Sequence, residues 1–387
     1  MSRFGNQSYG GGRRPQQNRI RYMRVDPRVL VKKAEFVGMA EYVAKTKFED
    51  LPVEEIIKRN IKSKGYTSPT PIQDQIMPHI FEGKDVIGLA ATGTGKTAAF
   101  LIPLIQKIQV GSREKVLIVV PTRELAVQII EEGRGFARGT RAYFALVIGG
   151  VAINGQIRDL KRNPSIVVGT PGRIKDLIER RFLRPDEYKT IVLDEVDRML
   201  DMGFIHDIRS LIMRLPRVRQ SLFFSATMSD AAKAVAREFL HEPVTVEIAA
   251  SRASENVDQD IVRLNGRNKI DVLHDLLIRP GFEKVLVFGR TKHGIEKLTL
   301  NLVKRGFAAA AIHGNKSQNQ RQRALNAFKD NQVKILLATD VASRGIDIDN
   351  VSHVINFELP ETYDDYIHRI GRTGRADRTG IALTFID

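Results

Sequence analysis

The chain has 387 residues, enough for two or three domains at about 150 residues each. It contains no cysteine, which excludes a disulfide scaffold, a cysteine-ligated zinc site and a thiol nucleophile. No apolar run approaches the roughly 18–20 residues of a membrane-spanning helix, and the N-terminus lacks the apolar core of a secretory signal. The expectation is a soluble, cytoplasmic protein with no membrane partner.

Charge narrows the partner. Lys and Arg total 61 against 45 Asp and Glu, a net charge of +16. Within residues 1–33, nine basic residues (Arg3, Arg13, Arg14, Arg19, Arg21, Arg24, Arg28, Lys32 and Lys33) face one acid, Asp26. Such an excess points to a polyanion, with nucleic acid the default; a charge that only aids solubility is the alternative.

Along the chain, residues 1–46 read as a basic, largely disordered extension. Its first 19 residues are rich in Gly, Gln, Asn and Arg with no hydrophobic period, a composition that cannot bury a core. Phe4 and Tyr9 add aromatics of the kind that contact single strands. Residues 29–46 are expected to be more ordered, as a helix without an assigned role. From residue 47 the pattern turns α/β. Runs at 85–90, 115–120, 143–150, 165–170, 190–195 and 221–227 alternate with helical stretches. Runs this continuous imply strands buried on both faces, hence a mostly parallel sheet flanked by helices. A polar stretch at 249–260 has linker composition, and the alternation resumes at 284–289, 308–314, 334–339, 353–359 and 381–386. The economical reading is two α/β domains, 47–248 and 258–387, joined by a linker at 249–257. One large sheet is the alternative that the polar break disfavours.

The run at 85–90 leads into Ala91-Thr92-Gly93-Thr94-Gly95-Lys96-Thr97 and then an apolar helix. This is a phosphate-binding P-loop, with Ala90 where the pattern has its first glycine. Gly93 and Gly95 let backbone N–H groups converge on phosphate oxygens, and the helix adds its positive N-terminus. Lys96 can reach the β- and γ-phosphates, and the Thr97 hydroxyl can ligate Mg²⁺. Such a loop needs a carboxylate at a neighbouring strand tip, and Asp194-Glu195 ends the run at 190–195. Asp194 is placed to hold Mg²⁺ through water, and Glu195 to orient and deprotonate the attacking water. These residues alone describe a Mg²⁺-dependent NTPase.

The wider motif set resembles the DEAD-box RNA helicases of superfamily two, from about Phe48 to Asp387. Gly65-Tyr66-Thr67-Ser68-Pro69-Thr70-Pro71-Ile72-Gln73 looks like the family's Q motif, with Phe48 at the upstream aromatic position. The resemblance implies two tandem RecA-like domains and ATP as the nucleotide, with Gln73 reading the adenine edge and Phe48 packing on the ring. Pro121-Thr122-Arg123-Glu124-Leu125-Ala126, Gly149-Gly150 and Thr170-Pro171-Gly172-Arg173 match the family's first-domain RNA motifs. Each follows an expected strand, and each offers N–H, hydroxyl or guanidinium groups, which suit phosphate and 2′-OH rather than bases. Ser225-Ala226-Thr227 resembles the coupling motif, whose hydroxyls are expected to bond to Asp194-Glu195-Val196-Asp197.

In the second half, Phe288 and Thr291 lie in a motif-IV-like segment, and Gln318 and Arg321 have the family's Q-x-x-R spacing. Segment 339–347 matches motif V, which by resemblance turns Thr339, Asp340 and Arg344 to RNA and Asp347 to the ATP ribose. Segment 368–375 matches motif VI, with Arg372 and Arg375 as arginine fingers aimed across the cleft. Val196 stands where the family name calls for Ala, and Asn356-Phe357-Glu358 replaces Asn-Tyr-Asp; both read as mild changes. The chain ends after its last expected strand, so no C-terminal specificity module is expected. The resemblance implies an ATP-dependent RNA helicase that unwinds short duplexes and binds RNA through its backbone. A monomer is expected, and the charge of residues 1–33 adds the expectation that the basic tail is an auxiliary RNA tether. A nucleotide-gated RNA clamp and a DNA translocase of the same superfamily are the alternatives.

Overall fold

Thirteen strands form two sheets in a computed structural model that describes residues 30–34, 42–111, 114–248, 256–343, 351–374 and 379–386. The first sheet contains β1 (Val86–Leu89), β2 (Val116–Val119), β3 (Phe144–Val147), β4 (Ile166–Gly169), β5 (Thr190–Leu193), β6 (Gln220–Ser225) and β7 (Val244–Glu247). Their order is β3-β4-β2-β5-β6-β1-β7. The second contains β8 (Val257–Arg263), β9 (Val285–Phe288), β10 (Ala309–Ile312), β11 (Ile335–Ala338), β12 (His353–Asn356) and β13 (Gly380–Ile386), ordered β10-β11-β9-β12-β13-β8. Every pairing between these strands is parallel.

The central strands β2, β4, β5, β9, β11 and β12 are buried at all four positions, as helices on both faces require. Alternate residues feed opposite cores. Val116 and Ile118 enter one cluster with Phe100 and Phe224, while Leu117 and Val119 enter another with Ile191 and Phe223. The second sheet repeats the arrangement, with Leu286 and Phe288 on one side and Val285 and Val287 on the other. Parallel strands place their carboxyl ends along one edge, where the P-loop and Asp194 follow β1 and β5 and Ser225 ends β6.

Two edge strands have no counterpart among the runs expected from sequence. β7 alternates between half-buried, exposed and buried positions, and β8 opens at Val257, inside the polar stretch assigned to the linker. The N-terminal extension was expected to be largely disordered, with a helix at 29–46; residues 1–29 and 35–41 of it lie outside the described residues. At the residues that are described, Leu30 is fully buried and Lys32 bridges Gln259 antiparallel. Residues 42–46 form bends and extended chain rather than helix. Among the described residues, no helix is long and apolar enough to cross a membrane.

Candidate nucleotide and nucleic-acid site

The loop between β1 and the helix Lys96–Val110 turns through Gly93 at φ 86° and Gly95 at φ 93°, a region open to glycine at little cost. A side chain at Gly95 would also run into the Gln73 amide. Gln73 is fully buried. Its Oε1 accepts from Thr70 N at 3.0 Å and its Nε2 donates to Gly95 O at 3.1 Å. Thr70 Oγ1 donates to Thr94 O at 2.8 Å. The start of the helix Pro71–Phe81 is therefore bonded directly to the P-loop. Phe48 packs into the first core, edge-on to Tyr66 with ring centroids 5.9 Å apart.

Lys96 is buried and donates to Ala90 O at 2.6 Å, across the mouth of the loop. Thr97 follows it in the first turn of the helix. Asp194 leaves β5 with 2% exposure, and its Oδ1 accepts from Glu195 N at 2.9 Å. Burial pushes the Asp194 carboxyl up to about 7, opposed by Lys96 and reinforced by Glu195. A buried carboxylate and a hydroxyl at a helix start, beside a phosphate loop, form a hard oxygen donor set that suits Mg²⁺. Glu195 holds a left-handed backbone at φ 54°, unusual for a residue with a side chain and typical of strained functional turns. Its carboxylate pairs with Arg198 at 2.7 Å.

Asp197 joins this turn to β6. Its Oδ2 accepts from Ala226 N at 3.0 Å and Thr227 N at 3.1 Å, with Thr227 Oγ1 at 3.4 Å. Asp197 N donates to Ser225 Oγ at 3.2 Å. Ser225 and Thr227 thus meet the acidic turn, chiefly at Asp197.

The three first-domain motifs meet in one groove of about 430 Å³, lined by Pro121, Thr122, Arg123, Gly149, Thr170 and Arg173 together with Arg321 from the second domain. Arg123 lies against Gly149 and Gly150. Glu124 crosses between domains: Gln318 Nε2 donates to it at 2.9 Å, and Arg321 Nε approaches its Oε1 at 3.0 Å. That second contact is an ion pair without a hydrogen bond at Arg321 Nε.

In the second domain Asp340 is held by Arg369 in a bidentate pair at 2.6 and 2.8 Å. Arg369 also donates to Asn356 Oδ1 at 3.1 Å and Glu358 O at 2.7 Å, and lies over the Phe288 ring. Thr339 follows β11, half-buried. Arg372 is 4% exposed and borders a cavity with Lys284, Lys334 and Thr373. Arg344, Asp347 and Arg375 lie outside the described residues. Sequence reasoning gave no role to Arg198, Glu124 or Arg369. Arg198 was within reach, since it stands three residues after Glu195 on a helix, the spacing at which side chains meet.

Known helicases resemble the chain in sequence and in fold. A family model described as DEAD/DEAH box helicase matches residues 70–235, and one described as helicase conserved C-terminal domain matches residues 268–377. An ATP-dependent RNA helicase CshA from Listeria monocytogenes is 45% identical over 343 residues, covering 88% of this chain and 66% of that protein. A CshA from Limosilactobacillus reuteri is 45% identical, covering 88% and 69%. The chain thus spans about two thirds of the length of these relatives. Among solved structures, S. cerevisiae Dbp5 bound to RNA and ADP BeF3 is 30% identical with a TM-score of 0.77, covering 88% of this chain and 89% of that one. Mss116p bound to ssRNA and AMP-PNP is 29% identical with a TM-score of 0.78, covering 88% and 75%.

Proposed function

The chain belongs to the DEAD-box family of ATP-dependent RNA helicases, and we propose that it hydrolyses Mg-ATP while its two RecA-like domains grip single-stranded RNA and open short duplexes. The first domain spans 47–248, and the second opens with β8. One observation carries the reading: Gln318 and Arg321 of the second domain meet Glu124 inside the first-domain groove. A single groove is therefore walled by both domains, so its shape depends on how they sit together.

In this reading the loop Thr92–Gly95 cradles the phosphates, with Lys96 against the β- and γ-phosphates and Gln73 and Phe48 at the adenine end. Thr97 and Asp194 of the Asp194-Glu195-Val196-Asp197 motif hold Mg²⁺. Bound Mg²⁺ supplies neutralisation of charge on the phosphate oxygens. Glu195 orients the attacking water and takes its proton. Arg372 and Arg375 supply positive charge from the second domain, and Asp347 meets the ribose.

Pro121, Thr122, Arg123, Gly149, Gly150, Thr170 and Arg173 bind the RNA backbone with Gln318, Arg321, Thr339, Asp340 and Arg344. Contacts of this kind fix position without reading sequence. Ser225 and Thr227 relay nucleotide state through Asp197. The basic N-terminal tail tethers RNA, and the protein is monomeric, cytoplasmic and free of membrane. The test is ATP hydrolysis with RNA, with DNA and with neither, beside release of a short RNA duplex. Stimulation by RNA with duplex release is expected. Equal stimulation by DNA makes the protein a DNA translocase, and hydrolysis without release makes it a clamp.

A further inference from the structure

The helix Gln318–Lys329 carries both second-domain residues that reach Glu124. Gln318 is its first residue, and Arg321 stands about one turn on. Gln318 is buried, and its Oε1 finds no hydrogen-bond partner among the described residues. The 2.9 Å bond from its Nε2 to Glu124 therefore orients the amide. Stretched to about 3.6 Å, such a contact is no longer a hydrogen bond. The start of this helix must be held to better than about 1 Å for the groove to keep its second-domain wall.

What holds it is a capped turn clasped to a neighbouring helix. Ser317 Oγ accepts from Gln320 N at 3.3 Å, and Gln320 Oε1 accepts from Ser317 N at 2.9 Å, a reciprocal cap that fixes how the chain enters the helix. The turn before it closes with Lys316 N donating to His313 O at 3.0 Å. His313 directly follows β10 and is buried. Asn315 N donates to His313 Nδ1 at 3.3 Å, which places the ring proton of the neutral imidazole on Nε2. That proton is donated to Glu296 Oε2, with Nε2 at 2.7 Å. Glu296 Oε1 accepts from Lys316 Nζ at 2.8 Å. The bonds from His313 and Lys316 hold the Glu296 carboxyl below the usual carboxylate range, so the clasp keeps its charge.

We infer that Glu296 is a positioning residue for RNA binding: by clasping His313 and Lys316 it fixes the start of the helix Gln318–Lys329, and with it the reach of Gln318 and Arg321 into the groove. It acts through those residues. An exposed ion pair alone would contribute little. Here one carboxylate takes both ends of a turn, and one of its two partners is buried. Glu296 itself lies on the helix Lys292–Lys304, whose cap Thr291 accepts from Gly294 N at 3.0 Å just after β9. The clasp thus joins the segments that leave the carboxyl ends of β9 and β10, on the sheet edge from which Thr339 also emerges.

The inference rests on the RNA-helicase reading, so the test has two arms on the full chain. The first needs neither ATP nor RNA. Amide hydrogen exchange is followed across residues 313–321 in wild type and in Glu296→Ala, a change at a side chain 37% exposed that leaves the core intact. Faster exchange in that segment, with the strands of the second sheet unchanged, is expected. Unchanged exchange overturns the clasp.

The second arm measures ATP hydrolysis stimulated by polyuridylate. Glu296→Ala should raise the RNA concentration at half-maximal stimulation about threefold to tenfold, the scale of one charge-assisted hydrogen bond. The ATP concentration at half-maximal rate and the saturated rate should stay within about twofold of wild type. His313→Gln can still donate to Glu296 and should retain most of the RNA affinity, whereas His313→Asn is too short to reach it and should behave as Glu296→Ala. On a Gln318→Ala/Arg321→Ala background, which keeps the first-domain RNA residues, Glu296→Ala should add nothing, because the residues it positions are gone. A full further loss on that background, or equal losses in half-saturation for RNA and for ATP, overturns the positioning role. A wild type whose hydrolysis RNA does not stimulate defeats the helicase reading instead, and the exchange arm still decides whether Glu296 positions this helix start.

Discussion

Glu195 and Arg198 are joined by a 2.7 Å ion pair in which both side chains are at least nine-tenths buried. The guanidinium sits one helical turn beyond a carboxylate whose own backbone is left-handed, so charge and strain together fix where that carboxylate points. Glu195→Gln keeps the size and an acceptor oxygen but removes the base. ATP and RNA binding should persist while hydrolysis falls at least about a hundredfold, the usual scale for lost general-base assistance. Arg198→Ala leaves the carboxylate buried without its partner, and removing one member of a buried pair costs about 3–5 kcal/mol. A chemical denaturation midpoint for Arg198→Ala equal to wild type would contradict that placement, and near-normal hydrolysis by Glu195→Gln would remove Glu195 from the base role.

Gln73 spends both ends of its amide on the protein, one on Thr70 N and one on Gly95 O. An adenine reader with that second duty should show two effects when cut to alanine. Loosening of the P-loop weakens every nucleotide, and removal of the adenine partner weakens ATP beyond that. The expectation is that wild type prefers ATP to GTP and that Gln73→Ala weakens ATP more than GTP. Competition binding with both nucleotides decides it. Equal weakening leaves Gln73 as a P-loop support alone.

The strands that position the site were legible because they are central. Val116–Val119 and Thr190–Leu193 are buried on both faces, and such strands read as unbroken apolar runs. Edge strands gave no such run: Val244–Glu247 exposes alternate residues, and Val257–Arg263 carries Asp258, Gln259 and Asp260, which read as linker. The P-loop and the acidic turn were legible from type and spacing within short segments. Partnerships across long separations were not. Nothing near Glu124 announces Gln318, 194 residues away, and Tyr42 beside Asp74 needs the folded helix start to bring them together. Leu30 lies in 29–46, a stretch expected to be a helix of no assigned role, and nothing in its sequence announces that it enters the second domain's core.

His353 provides a pH signature for the second domain. Burial lowers its pKa from 6.5 to about 4, with the ring stacked on Phe282 at 3.8 Å. Between those values the unfolded chain binds the proton and the folded chain does not. Stability therefore rises with pH through this window and is lost as pH falls from 6.5 toward 4. The full shift is worth no more than about 3 kcal/mol. Buried carboxyls raised by burial, Asp194 and Asp85 among them, also change the pH profile, so the informative quantity is a difference between variants. His353→Phe keeps an aromatic ring against Phe282 and removes the proton. Its denaturation midpoint should vary less with pH between 6.5 and 4 than that of wild type. Parallel profiles would mean that water reaches the ring.

The tail prediction depends on where the N-terminal extension first contacts the folded domains. Residues 1–28 hold seven arginines and one aspartate, whereas Leu30 and Lys32 already contact the second domain. A truncation that removes residues 1–33 would mix two effects, so the informative cut ends at Arg28. The tether reading expects this truncated chain to bind RNA more weakly and with a flatter salt dependence. Each phosphate that the tail neutralises on a single strand should add about 0.7 to the steepness of log K against log salt, and the truncated chain should lack that contribution. ATP turnover at saturating RNA should be unchanged, because every residue assigned to catalysis lies after Phe48. A tail that serves solubility alone predicts no change in affinity or slope. A fall in the saturated rate would argue against both, since it would mean that residues before Leu30 also dock on the domains.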